Sequence, residues 1–492
     1  MSRSRLVARN VLSMTLTQIV TWGLTTFVMI YLPGYVGDVG LGRLTLAGSL
    51  AAVSSLFIYL GTSNVVVRDV ARERSCAGDY LVAVLMQRSL LGAGIGVVVA
   101  LLANLSGYPE QTRVLIYLSA GCAVLTSLSV GVGDVLRGQE NIPRQNIASI
   151  AEKVVYAITV LIAIRARAPL WGIAVCAGVG TLVGLAINLT AFRGGIPRPR
   201  KAHWLLAGRI AVAGMPFFAN AIFVTVYTYC YPIILQHLCG DAAVGWYGLV
   251  TRLFGTALFL PTILAGAMLP AITRLRAEDP AAFPEAVHRM VRLMLLCAAP
   301  IASVLLFLPA QIIRLLHYPP GFLNAVPVFV FFGIGLILWY LSIPIGTAMT
   351  ALDLQREFSR ASAVAAALVV PLGIFCVWIT QRGMGNGAVG AAISHVLIET
   401  YLLWRYLRAL PAGLLPAAPL AVLVLKTALA ALPMGLFSYL LRGDFGLLAL
   451  LPGLAFYGLL CCWMGCILPQ DIRIIRGAIL PNPGAAAAPG TF

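Results

Sequence analysis

Long apolar runs, separated by short stretches rich in Arg, Gly and Pro, dominate the chain from its N-terminus to about position 467. Roughly 20 consecutive apolar residues are enough to cross a bilayer as a helix. Fourteen such runs are present, at about 11–33, 44–66, 81–104, 113–133, 146–164, 169–192, 211–235, 245–271, 290–310, 325–349, 361–380, 387–404, 417–440 and 445–467. Within the first, Thr17, Gln18, Thr21 and Thr25 form a one-sided polar stripe at helical spacing. Within the seventh, Asn220, Tyr227 and Tyr231 recur at offsets of 0, 7 and 11. The pattern predicts an all-α, polytopic membrane protein, followed by a Pro-, Gly- and Ala-rich tail over 468–492 that is expected to be disordered.

Composition strengthens this reading. Of the 492 residues 60% are hydrophobic and 10% charged, and the mean hydropathy is +0.93. A soluble core would be covered long before so much apolar surface was used. Arg3, Arg5 and Arg9 ahead of the first run resemble the start of a secretory leader, but that run continues to Pro33 and is long enough to span. In a soluble domain a net charge of +17 would suggest nucleic acid. Here topology accounts for it. With a cytoplasmic N-terminus, 23 of the 34 Lys and Arg residues fall in cytoplasmic segments, seven in the opposite loops and four within spans. The asymmetry predicts both termini inside and a basic face toward anionic lipid, with no nucleic-acid partner.

The ten cysteines lie mostly in apolar runs, where cysteine is a small hydrophobe. Cys462 and Cys466 have helical spacing, yet no His, Asp or Glu nearby completes a metal set. No nucleophile elbow, phosphate-binding loop or dinucleotide glycine pattern is found, so neither covalent chemistry nor a cofactor is expected.

A weak repeat links 136–144 (LRGQENIPR), after the fourth span, to 352–360 (LDLQREFSR), after the tenth. Six intervening spans give both halves one orientation, related by an axis along the membrane normal. The expected organisation is a lobe over 1–200 (spans 1–6), a second over 201–412 (spans 7–12), two extra spans over 413–467 and the cytoplasmic tail. Gly92 with Gly96 and Gly180 with Gly184 read as close helix packing. Pro216, Pro232, Pro261 and Pro270 around spans 7 and 8 hint that these helices line a cavity.

One stretch, 214–252, gathers several motifs: Gly214-Met215-Pro216, the turn Gly240-Asp241-Ala242-Ala243-Val244-Gly245-Trp246-Tyr247, and Arg252, with Leu269-Pro270 closing span 8. Elsewhere Leu60-Gly61 runs on to Arg68-Asp69-Val70-Ala71-Arg72, and Gly387-Ala388-Val389-Gly390-Ala391-Ala392 opens span 12. Together these resemble the multidrug/oligosaccharidyl-lipid/polysaccharide exporter superfamily, and within it the Wzx-type polysaccharide (O-antigen/exopolysaccharide) flippases. The resemblance implies two six-helix lobes that open alternately to each side. It further implies movement of an undecaprenyl-diphosphate-linked oligosaccharide from the cytoplasmic to the periplasmic leaflet of the inner membrane, alongside a glycan polymerase and glycosyltransferases. The chain departs from many relatives late in span 7, where Tyr229-Cys230-Tyr231 stands in place of an acidic residue.

A diphosphate needs cations and a glycan needs polar or aromatic walls. A cation in a span costs roughly 2.5–3.5 kcal/mol, which makes each one a functional candidate. Arg252, about seven residues or roughly 10 Å into span 8, is the leading phosphate ligand, and the resemblance places a cavity arginine there; pairing or snorkelling is its alternative. Arg88 and Lys153 could equally snorkel. Lys426, mid-way along span 13, could meet the carrier phosphate or pair with a helix. Thr21, Gln18, Thr25, Asn220, Tyr227 and Tyr231 are candidate sugar contacts, and His395 with Glu399, four apart on span 12, are candidate ion-coupling groups. A cation-coupled multidrug exporter is the alternative function, although neither span 1 nor span 7 holds Asp or Glu. A membrane glycan polymerase or ligase would show a large outside loop, which is missing here.

Overall fold

The computed structural model describes residues 3–192, 201–440 and 450–467, with side chains from Leu16 onward except those of Lys201 and Asn220. The tail 468–492, the 193–200 part of the basic loop and the side chain of Asn220 therefore lie outside the described residues. All regular structure within them is helical: α1 (Arg3–Tyr59), α2 (Thr62–Arg72), α3 (Ala77–Leu105), α4 (Glu110–Gly138), α5 (Ile142–Arg165), α6 (Leu170–Leu189), α7 (Lys201–Cys239) and α8 (Asp241–Ala257). There follow α9 (Phe259–Glu278), α10 (Phe283–Phe307), α11 (Pro309–Leu315), α12 (Val326–Ala351), α13 (Gln355–Met384), α14 (Gly387–Ala409), α15 (Ala417–Leu440) and α16 (Leu450–Trp463). Thirteen described segments are long and apolar enough to cross a membrane, and the shorter apolar α16 joins them. The chain is a multi-pass membrane protein.

The first two expected spans are the two arms of α1, parted at Gly37 (φ 68°, ψ 179°), a conformation that glycine reaches without a Cβ clash. The arms run in opposite directions along α8. The Trp246 indole donates to Asp38 and Phe259, just past α8, packs at a tilt against Trp22, whereas Asp241 meets Arg43 and Gly248 packs on Thr45. Span 8 is divided at Leu258 into α8 and α9.

Packing divides the described chain into two compact units. The first comprises Met1–Phe259, Ile313–Phe331 and Arg356–Leu402. Inside it α8 lies along α1 at backbone contact: a Cβ on Gly245 would collide with the Asp38 carbonyl, and one on Gly42 with that of Asp241. Small residues permit this approach, and in lipid close packing takes over the role that water exclusion plays elsewhere. Leu60-Gly61 and Gly214, two separate motifs in the sequence, are two sides of one contact, because a Cβ on either glycine would meet the other's backbone. Gly61 also needs its positive φ of 66° to start α2, whose Val65, Val66 and Val70 are buried while Arg68 and Arg72 face outward. Gly92, Gly180 and Gly184 sit against Val124, Tyr156 and Glu152, but Gly96 faces open space. Three of the four small-residue positions are thus packing seats.

The second unit comprises Leu260–Ile312, Phe332–Gln355 and Leu403–Phe492. There α10, α15 and α16 share a core of Ala299, Ala430, Ala431, Met434, Tyr457 and Cys461. Ser303 donates to the Ala431 carbonyl at 2.8 Å, and Gly435 takes Phe307 against its backbone.

At the two copies of the weak repeat, three-residue linkers join α4 to α5 and α12 to α13, with Glu140 (φ 62°) and Asp353 (φ 59°) at their centres. Each closes with the same pair of bonds, Asn141 N–H to Leu136 and Glu140 N–H to Arg137, or Leu354 to Met349 and Asp353 to Thr350. This is the ordinary helix-closing pattern. It recurs around Arg167 and His317, so the turn alone does not single out the repeat.

Candidate functional site

Cations and hydroxyls stranded in a bilayer need either partners or water, so the cavities of the first unit are where a site is expected. One cavity of about 350 Å³ is bounded by Thr21, Trp22, Thr25, Thr26 and Met29 from the first arm of α1, Lys153 from α5, and Thr251, Arg252, Gly255 and Thr256 from α8. Four of the sequence candidates (Arg252, Lys153, Thr21 and Thr25) therefore come together from three helices.

The local helices explain what each group offers. Thr21 donates to the Thr17 carbonyl at 2.8 Å and Thr25 to that of Thr21 at 2.8 Å, while Thr251 donates to Tyr247 at 3.0 Å and Thr256 to Arg252 at 3.2 Å. Their protons are spent within their own helices. What they can turn toward the cavity is oxygen lone pairs and methyl groups. Gln18, whose carbonyl also accepts from Thr21, lies one turn before the lining residues.

Arg252 lies eleven residues, about 16 Å, along α8 from Asp241. Its Nη2 reaches Thr45 Oγ1 at 3.4 Å, a long contact, and its buried Nη1 has no hydrogen-bond partner among the described residues. No described carboxylate forms an ion pair with it. Arg252 is half-buried, and an open donor on its guanidinium suits an anionic oxygen. Lys153 differs, since its ammonium is 3.0 Å from the carboxylate of Glu152, the preceding residue.

Arg88 stands elsewhere. It is fully buried and donates to Asp134 at 3.0 Å, to the Ser127 carbonyl and to Ser63 at 3.3 Å, with the Tyr59 ring 5.1 Å from its guanidinium carbon. Asp134 also accepts from Arg137 at 2.8 Å. Rather than snorkelling, Arg88 turns into the α3–α4 packing. Lys426, in the second unit, donates to the Met464 carbonyl at 3.0 Å, just past the end of α16, where a helix terminus favours a cation.

The remaining candidates form a cluster of their own in the first unit. The Tyr227 hydroxyl donates to Glu399 at 2.9 Å and lies 3.3 Å from His395 Nε2, and its ring stacks on His395 at 5.1 Å. Tyr231 is fully buried, 3.1 Å from the Ser394 hydroxyl. The i,i+4 pair on α14 was legible; its tyrosine partners on α7 were not. Sequence reading also missed Trp22, Thr26, Met29, Thr251, Gly255 and Thr256. Only Thr251 and Thr256, flanking Arg252 on one helix, carried a signal that could have drawn attention. Of the two spans marked by prolines, only the α8 part of span 8 lines this cavity; Pro261 and Pro270 lie beyond it in α9, and no α7 residue lines it.

Two sequence families match: one described as polysaccharide biosynthesis protein over residues 7–276, and one described as MatE over residues 216–379. No curated protein sequence is detectably similar. Among solved structures, the fold is similar to "Lipid II flippase MurJ, inward closed conformation", with a TM-score of 0.64 at 14% identity, covering 92% of this chain and 98% of that one. It is also similar to "Inward-facing conformation of a multidrug resistance MATE family transporter of the MOP superfamily" (TM-score 0.62, 14% identity, 81% of this chain and 98% of that one). A third is a structure of the MATE multidrug transporter DinF-BH (TM-score 0.56, 15% identity, 83% and 96%). At such identities these structures establish the fold. With more than half its length matched, the chain belongs to the polysaccharide biosynthesis protein family of transporters, built on the fold of the multidrug/oligosaccharidyl-lipid/polysaccharide superfamily.

Proposed function

We propose that this transporter flips an undecaprenyl-diphosphate-linked oligosaccharide from the cytoplasmic to the periplasmic leaflet of the inner membrane. The observation that carries the reading is Arg252: a guanidinium deep in a membrane helix, with no counter-ion among the described residues, opening on a cavity of hydroxyls and one indole. Two donors of that guanidinium suit phosphate oxygens, and Trp22 with the threonines suits a sugar face. In this reading 1–200 and 201–412 act as lobes in alternating access, the termini are cytoplasmic, and the turn at Gly240 faces the periplasm. Glycosyltransferases supply the substrate and a polymerase consumes it.

With the cytoplasm negative, expelling about two negative charges is favoured by roughly 4–5 kcal/mol per 100 mV. The membrane potential therefore suffices as a driving force. Arg252→Ala is expected to abolish glycan export while the protein stays in the membrane at wild-type amounts; normal export by that variant removes Arg252 from the site. A second reading, cation-coupled export, draws on the buried Glu399 carboxylate and its Tyr227 and His395 neighbours. Flipping in proteoliposomes that ignores membrane potential but follows an imposed Na⁺ or H⁺ gradient would favour it.

A further inference from the structure

Between the cavity and the Gly240 end of α8 lies a joint with no part in the mechanism so far. On α1 the cavity is lined as far as Met29 and the elbow at Gly37 follows; on α8 it is lined from Thr251, and the residues before that press on the elbow. Gly42 and Gly245 bring the two backbones together, and Gly248 seats Thr45. The 318–321 segment lies on the same elbow. There the Tyr318 hydroxyl donates to the Ile30 carbonyl at 2.9 Å, one residue past the lining Met29.

Asp38 is where these parts meet. Its carboxylate accepts from the Trp246 indole of α8 at 3.1 Å, and a Cβ on Gly321 would stand 2.5 Å from the same oxygen. One side chain of α1 thus touches both α8 and the 318–321 segment, each from the second half of the chain. Arg43 and Asp241 add an ion pair of 2.7 Å at the start of α8. For α8 to leave α1, the indole must be stripped from the carboxylate.

Resting on the alternating-access reading proposed above, in which 1–200 and 201–412 move against each other, we infer that the α1 elbow is the gate closing the Arg252 cavity on the Gly240 side, and that Asp38 is its latch. With the latch closed, a solute on that side does not reach Met29. Opening takes α8 and the 318–321 segment off the elbow together. Small residues let the backbones meet closely and leave few interlocking side chains to unthread as they part. The polar latch then sets the balance between closed and open states.

The test reads the gate itself and needs no substrate. Met29→Cys places a thiol in the cavity of the full chain, and a membrane-impermeant charged maleimide is added to sealed membrane vesicles of either orientation. Peptide mass spectrometry follows that position apart from the ten native cysteines. Glu110→Cys, exposed beside the Gln111 that Arg43 also holds, marks the orientation that presents the Gly240 side. A hydrogen bond to a charged group is worth about 10- to 100-fold in an equilibrium. From the Gly240 side, slow labelling of Met29→Cys is therefore expected to quicken about tenfold or more on adding Asp38→Ala or Trp246→Phe. The chain carrying both is expected to label no faster than with Asp38→Ala alone, since both remove one bond. Each variant is first matched to the Met29→Cys chain in thermal midpoint; where Asp38→Ala fails that match, Trp246→Phe decides alone. If Met29→Cys stays equally protected on the Gly240 side in the latch variants while it labels from the other side, the inference fails and alternating access stands. If Met29→Cys labels equally fast from both sides before any latch residue is changed, the alternating-access reading itself fails.

Discussion

Asp134→Ala offers the sharpest test of how the bilayer interior of this chain holds its charges. Arg88 and Asp134 both have side chains with no solvent exposure, and they meet at 3.0 Å. Removing the carboxylate leaves the guanidinium with the Ser127 carbonyl, Ser63 and the Tyr59 ring, none of which carries charge. It also releases Arg137, whose side chain is 39% exposed and can turn to water. The cost therefore falls on Arg88. Stripping one member from a buried pair costs about 3–5 kcal/mol, whereas replacing both by apolar groups of similar volume is close to neutral. For a chain of this size that corresponds to a fall of roughly 3–5 °C in the unfolding midpoint. The double replacement Arg88→Leu with Asp134→Leu should recover most of it. The assay is thermal unfolding of detergent-solubilised protein followed by size-exclusion chromatography, with transport normalised to folded protein. A single variant within about 2 °C of wild type would refute the reasoning, as would a double variant no more stable than the single. If Arg88 contacts substrate, the double variant will be stable and inactive; on the structural account it transports.

Two further predictions concern the α1–α8 contact. Gly245→Val places a branched side chain on the Asp38 carbonyl and should remove folded protein from the membrane, while Gly96→Val, facing open space, should leave its amount unchanged; quantitative immunoblotting of membranes reads both. Arg43→Ala and Asp241→Ala each break an ion pair whose side chains are 21% and 13% exposed, and each should cost about 1–2 kcal/mol in detergent stability. The charge swap Arg43→Asp with Asp241→Arg should restore a good part of that loss, and failure to restore any of it would mean that the Arg43–Gln111 bond at 2.6 Å carries the effect.

Some of this was visible in the sequence because lipid imposes a simple rule. A polar group in an apolar run of spanning length has to be accounted for, so Arg252, Lys153, Thr21 and Thr25 stood out and proved to share a cavity. Trp22, Met29 and Gly255 line the same space but look like any other membrane residue. The fate of Arg88 was illegible for a different reason. Its carboxylate lies 46 positions away on α4, and nothing local announces that pairing. Motifs behaved similarly: Gly61 and Gly214 were recognisable one by one, but their mutual contact exists only once α1 and α7 are packed. The break at Gly37 fell within the expected loop between the first two spans, yet helix continues to either side of it. The same held at Asp241, where helix begins ahead of the expected apolar run.

The seam between α1 and α8 also has a history in the making of the chain. Arg43 and Asp241 are separated by 198 residues, so a ribosome adding about 5–20 residues per second needs roughly 10–40 s to deliver the second after the first. Throughout that interval the Gly42 face of α1, shaped for a backbone that does not yet exist, has only lipid or an insertion factor against it. The amino-terminal helices can enter the bilayer in order, but their packing stays unfinished until α8 arrives.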